Sequence, residues 1–189
     1  MDVKDIFGNF PVLETERLLL RKITQADTKD IYHYGKNPTV SQYVPWKPHK
    51  SMKDTEAYVE FVLRKYDNGE LAPWGIEYKE NGRLIGTIDF VSWNLRHKTA
   101  EIGYVVSHDY WGKGIATEAA KEVIKFGFEK MDLVQIEAKC FVENIASIRV
   151  MEKSGMSYEG TLRKVMFIKG KHRDLKVYSI LRDEYYSKN

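Results

Sequence analysis

The stretch from Ala100 to Lys130 constrains this chain more than any other. An apolar strand pattern, Ala100–Ser107, runs into His108-Asp109-Tyr110-Trp111-Gly112-Lys113-Gly114. A helical pattern then extends to Lys130, with Ile115, Ala119, Ala120, Val123, Ile124 and Phe128 on one broad stripe. A strand feeding a glycine loop that feeds a helix makes an anion site. The first helical N–H groups lack an intrahelical acceptor, and the macrodipole places about half a positive charge beside them. Gly112 and Gly114 remove side chains that would hold a phosphate away, and they allow the turn its unusual dihedrals. Ala116 stays small where a ligand would pass. The Walker pattern GxxxxGK[ST] is absent, and a dinucleotide fingerprint would need Gly or Ala where Thr117 stands. The plainer alternative is two glycines joining a strand to a helix with no ligand at all.

The flanking segments read as alternating strands and helices. Residues 1–14 look like a loose N-terminal segment. Arg17–Ile23 is a first strand, and Thr24 caps a helix that should run to about Lys36, where Asn37-Pro38 breaks it. Pro45, Trp46 and Pro48 make Val40–His49 irregular. Ser51 opens a second helix that Asn68-Gly69 stops. Trp74–Lys79 and Leu84–Trp93 flank Asn81-Gly82, which predicts a tight antiparallel hairpin. Val134, Ile136, Ala138 and Cys140 alternate with Gln135, Glu137 and Lys139, the pattern of a strand. A short helix over Ile145–Ser154 ends at Gly155, and strands at Tyr158–Ile168 and Leu175–Leu181 follow. The order βααβββαβαββ, without repeat or linker, implies a single α+β domain over residues 1–189.

Composition narrows the function classes. The 30 basic and 27 acidic residues leave a net charge of only +3, which gives no footprint for nucleic-acid binding. Cys140 is the sole cysteine, so no internal disulfide exists and a reducing compartment is expected. Met1–Asp5 lacks the basic-then-apolar pattern of a signal peptide, and no apolar run reaches the roughly 18 residues of a membrane span. A cytoplasmic location follows as the expectation. The five histidines show no ligand spacing with Cys140 or each other, so no metal is expected.

Trp111-Gly112-Lys113-Gly114-Ile115-Ala116 resembles the acyl-CoA motif [Q/R]xxGx[G/A] of GNAT acetyltransferases, with Trp111 in place of the polar first residue. Three further blocks match in order: Thr15–Arg21, Ala100–Tyr104, and Asn144–Ser147 together with Glu152–Met156. The YWGKGIATEA form is similar to that of the RimJ/RimL branch, which acetylates N-termini of ribosomal proteins. The resemblance implies a GNAT fold, with a mixed, mostly antiparallel sheet flanked by helices and splayed between its two central parallel strands. It implies acetyl-CoA as cosubstrate, with the pantetheine arm along Tyr104, Val105 and Val106. The pyrophosphate would rest on backbone N–H groups of Trp111, Gly112, Lys113, Gly114, Ile115, Ala116 and Thr117; Lys113 adds a screened charge or is simply solvated. The acceptor would be a protein N-terminus, or else a small amine such as a polyamine or aminoglycoside. A non-catalytic acetyl-CoA sensor is the alternative of another class, and the resemblance leaves room for a homodimer.

The same resemblance places Asn144 and Ser147 against the pantetheine and the thioester sulfur, with Ser147 assisting the departing thiolate; the alternative for both is ordinary capping of a helix start. Glu101, two residues before Gly103, is the first candidate for the base, or else a solvated or salt-bridged strand carboxylate. Glu159 is the second. RimL-like sequences carry a glutamate about seven residues after the Glu-Gly dipeptide, whereas Met166 stands there in this chain. Tyr178 is either an acid or a buried aromatic. Tyr43, Pro45 and Trp46 fall where the family shapes its acceptor pocket, and packing under a loop explains them equally well.

Overall fold

The computed structural model describes residues 2–188. Its eight strands form one sheet: β1 (Leu13–Glu14), β2 (Leu18–Arg21), β3 (Trp74–Tyr78), β4 (Arg83–Asn94), β5 (Thr99–Val106), β6 (Gln135–Phe141), β7 (Ser157–Ile168) and β8 (Lys171–Leu181). They lie in the order β1-β2-β3-β4-β5-β6-β8-β7, antiparallel except for β5 against β6. The helices are α1 (Val3–Phe7), α2 (Thr28–Gly35), α3 (Met52–Asn68), α4 (Ile115–Lys130), α5 (Ile145–Lys153) and α6 (Arg182–Lys188). The expected hairpin joins β3 to β4, and Gly82 adopts the positive φ that the turn requires (66°).

Three parts of the chain differ from the sequence reading. The N-terminal segment is not loose: Asp2 and Asp5 form a reciprocal capping box for α1, and Phe7 and Phe10 are buried. Trp74 lies between them and the centre of the sheet, 5.8 Å from the Phe7 ring, 5.2 Å from Phe10 and 5.7 Å from Phe126 of α4. Each such ring contributes about 1.5–3 kcal/mol by leaving water, enough to order a helix too short to persist alone. The terminal helix α6 was also not foreseen, because Arg182–Lys188 carries no apolar stripe at helical spacing. Val134 stands outside β6 and is exposed, while Ile136, Ala138 and Cys140 are buried as their alternation predicts.

The sheet therefore presents two faces. Trp74, Ile88, Phe90, Ala100, Ile102 and Ile136 pack toward α4; Thr87, Asp89, Gly103 and Glu101 look the other way, toward α3. No helix among the described residues is long and apolar enough to cross a membrane.

Candidate active site

The parallel ladder between β5 and β6 has four rungs, Thr99↔Gln135, Ala100↔Ile136, Glu101↔Glu137 and Ile102↔Ala138. Beyond the last rung β5 continues to Val106 and β6 to Phe141, and the strands part. The result is a wedge at the centre of the sheet, closed at Ile102 and open beyond Gly103.

At one end of the wedge, β5 turns through a 3-10 segment (His108–Tyr110) into the glycine loop. Gly112 (φ 74°) and Gly114 (φ 76°) both occupy the left-handed region, costly for any residue with a Cβ. The loop is held from several sides. The Trp111 indole N–H donates to the Val106 carbonyl at 2.7 Å, so this carbonyl of the expected pantetheine strand already has a donor. Arg17 donates to the Lys113 carbonyl at 2.9 Å and to Glu118 at 2.7 Å, and Thr15 donates to Glu118 at 2.6 Å. Burial alone would raise the Glu118 carboxyl, but the hydrogen bonds from Thr15 and Arg17 outweigh it and hold the group below its usual range. The Lys113 ammonium lies 5.0 Å over the Tyr110 ring. A cleft of about 370 Å³ opens at the start of α4, lined by Gly114, Thr117, Lys121 and Lys153 with Thr15 and Glu16. Free helix N–H groups, left-handed glycines and two lysines suit a phosphorylated ligand. Lys121 and Lys153 escaped the sequence reading because they stand on different helices, α4 and α5.

Across the wedge, the Asn144 side chain accepts from the Ser147 N–H at 3.1 Å and caps α5. The capping alternative thus belongs to Asn144, which leaves the Ser147 hydroxyl free for another partner. That partner is the Tyr104 hydroxyl, 2.8 Å away on β5. Burial raises the Tyr104 phenol well above its usual value and pushes the Cys140 thiol up to about 11. Both groups therefore stay protonated near neutrality. The resemblance implies only a backbone role for Tyr104, since nothing local tells that its ring reaches α5.

The two carboxylates singled out from sequence share the α3-facing side of the sheet, and each has a partner. Glu101 receives the Lys139 ammonium at 2.8 Å, which Glu137 shares at 2.8 Å. Glu159 accepts from the Ser179 hydroxyl at 2.5 Å. Met166 packs with Phe141, Ile168 and Leu175 near Tyr43, an apolar cluster at the open end of β6. Tyr178 is buried, 3.4 Å from Glu152 of α5.

The family model for the acetyltransferase (GNAT) domain matches residues 17–157. The chain belongs to the GNAT acetyltransferase family. It is an N-acetyltransferase with acetyl-CoA as its donor. It is 36% identical over 173 residues to the N-acetyltransferase YoaA of Bacillus subtilis (strain 168), covering 92% of this chain and 98% of the relative. It is 25% identical over 173 residues to spermidine N(1)-acetyltransferase of Vibrio cholerae (strain El Tor Inaba N16961), covering 92% of this chain and 98% of that one. A crystal structure of a GNAT-family acetyltransferase from Bacillus anthracis superposes with a TM-score of 0.82 at 33% identity, over 92% of this chain and 99% of that chain. The α+β fold with one parallel pair is accordingly that of GNAT enzymes.

Proposed function

We propose that this GNAT enzyme transfers acetyl from acetyl-CoA to the N-terminal α-amine of a protein, as the RimJ/RimL branch does, by direct attack in a ternary complex. The parting of β5 and β6 beyond Ile102↔Ala138, with the glycine loop at its end, carries this reading. The N–H groups of Trp111, Gly112, Lys113, Gly114, Ile115, Ala116 and Thr117 would receive the pyrophosphate, and the strand edge of Tyr104, Val105 and Val106, whose last carbonyl already takes the Trp111 indole N–H, the pantetheine. Ser147, hydrogen-bonded to Tyr104, would give a proton to the departing thiolate, while Asn144 fixes the turn that carries it. Glu101, shared with Lys139, and Glu159, bonded to Ser179, stand as carboxylates on the opposite face of the sheet. An α-amine titrates at about 8 and a lysine at about 10.4, so a terminal amine asks much less of a base.

The relative named as a spermidine N(1)-acetyltransferase favours a second reading, a polyamine acceptor. The charge around the open end weighs against it. The Lys169 ammonium bonds the Ser41 carbonyl and feels Arg173 and Lys47, and the Arg173 guanidinium lies 5.8 Å over Phe141, the last residue of β6, with Glu143 as a partial counter-charge at 3.6 Å. A basic rim repels a polycation and attracts a peptide whose early residues are acidic.

A thiol-release assay with three acceptors tests this: peptides with a free N-terminus followed by acidic or by basic residues, and spermidine. The acidic peptide should show kcat/KM about tenfold or more above the basic one, with the gap narrowing in high salt. Spermidine as the best of the three would replace this reading with the second.

A further inference from the structure

We propose that Asp89, on β4, is the catalytic base that removes the proton from the acceptor amine. The assignment rests on the acetyl-transfer reading above and adds to it a residue that the sequence does not single out.

In the antiparallel ladder of β4 and β5, Asp89 stands directly opposite Gly103. Gly103 is the first residue of β5 past the last rung shared with β6, so it lies at the apex of the wedge. Gly103 itself adds no side chain at the place where an amine would meet the thioester. The Asp89 carboxylate flanks this place: its Oδ1 is 3.6 Å from where a Cβ on Gly103 would stand, and a methyl of Val91, 2.7 Å from the same point, covers it, a flexible and exposed side chain that an incoming amine would have to turn aside. Asp89 is only partly buried, and among the described residues no hydrogen bond engages its carboxylate. The other two carboxylates are differently placed. Glu101 sits on the closed side of Ile102 and is neutralised by Lys139. Glu159 bonds Ser179 from β7, three places across the sheet from β5.

The surroundings tune Asp89 for this task. Tyr58 and Lys65 face it from α3, and Glu101 faces it along β5. Burial raises its carboxyl to about 6; Lys65 opposes the rise and Glu101 adds to it. A base is most effective when its pKa lies near the working pH.

The proton balance closes. The acceptor R–NH3+ gives one proton to an Asp89 carboxylate oxygen, and the freed lone pair attacks the thioester carbonyl carbon. The C–S bond breaks with its electron pair on sulfur. The nitrogen's second surplus proton passes through the Ser147 and Tyr104 hydroxyls to that sulfur and makes the thiol. Protonated Asp89 returns its proton to solvent. The base thus stands on the α3 face and the thiolate's proton donors on the α5 face, and the gap between the strands joins them.

The test compares Asp89→Asn, Asp89→Glu and Glu101→Gln, using whichever of the three acceptors gives the highest wild-type turnover. Asp89→Asn should lower kcat about 100-fold or more, keep the CoA dissociation constant within about twofold by calorimetry, and abolish the rise of kcat across about pH 6. Asp89→Glu should recover part of the rate, and Glu101→Gln should keep that rise. An Asp89→Asn enzyme with the wild-type kcat and pH profile would overturn the proposal. Should no acceptor turn over, the functional reading above has failed. The 13C titration of the Asp89 carboxyl in the CoA complex then decides: a midpoint near 6 supports the assignment, and one near 4 rejects it.

Discussion

Ser147 and Tyr104 illustrate how a hydroxyl pair can be prepared for proton delivery. Tyr104 is desolvated enough to stay protonated across the working pH range, and Ser147 has its backbone N–H fixed by Asn144. Removing either hydroxyl should slow the step in which sulfur leaves without loosening the donor. We expect Ser147→Ala and Tyr104→Phe each to reduce kcat about 10–100-fold, with CoA affinity by calorimetry nearly unchanged. The double variant should lose little more than either single one, because the two hydroxyls act in series. At this scale the sequence is a partial guide. Ser147 was legible only through the likeness of Asn144–Ser147 to the family's block. The partners that define Glu101 and Asp89 were not: Lys139 lies 38 residues from Glu101 and Gly103 lies 14 from Asp89, and both meet only through strand pairing. Within Leu84–Phe90 the aspartate looks like one charged residue in a largely apolar strand.

The elements around the glycine loop show why a front block and a distant helix occur together. Arg17 and Thr15 precede β2, yet their bonds end on Glu118 and on the Lys113 carbonyl, at the start of α4. A charged hydrogen bond of this kind is worth about 1.5–3 kcal/mol. Part of that holds the loop in the geometry that its two left-handed glycines permit. Arg17→Ala should therefore raise KM for acetyl-CoA about tenfold and leave KM for the acceptor unchanged, as steady-state kinetics with each substrate varied would show. A general loss of stability would alter both. The strand–loop–helix unit, the Asn81-Gly82 hairpin and α3 with its Ser51 cap were all legible, since periodicity and turn chemistry are local. Helix α1 was hidden because five residues are too few to show a period, and its reason for folding is Trp74, far along the chain.

Across the whole molecule, acid stability depends on ion pairs that tie neighbouring strands and turns. Arg21 of β2 grips Asp27 with two bonds of 2.9 Å and Glu77 of β3 with another. Burial would raise the Asp27 carboxyl, but Arg21 and the Thr24 backbone more than compensate and hold it below its usual 3.8. A lowered folded value means that the stabilisation is complete above the unfolded pKa and disappears as pH falls through the folded one. Wild-type stability should accordingly decline below about pH 4. Arg21→Met should cost about 3 kcal/mol at pH 7, because it strands a buried carboxylate, and should flatten that decline. Thermal unfolding followed from pH 2 to pH 7 would check both. The strand order of the sheet was beyond the sequence, which carried one resemblance to a splayed sheet and no register.

The four-rung ladder between β5 and β6 also sets how the two halves of the sheet hold together. It is a short seam, and a ligand threaded past its end would act as mortar there, bonding one half to the other where the backbone itself does not. The donor would then toughen the enzyme as well as supply its acetyl group. Starved of it, the molecule should come apart first along that central line.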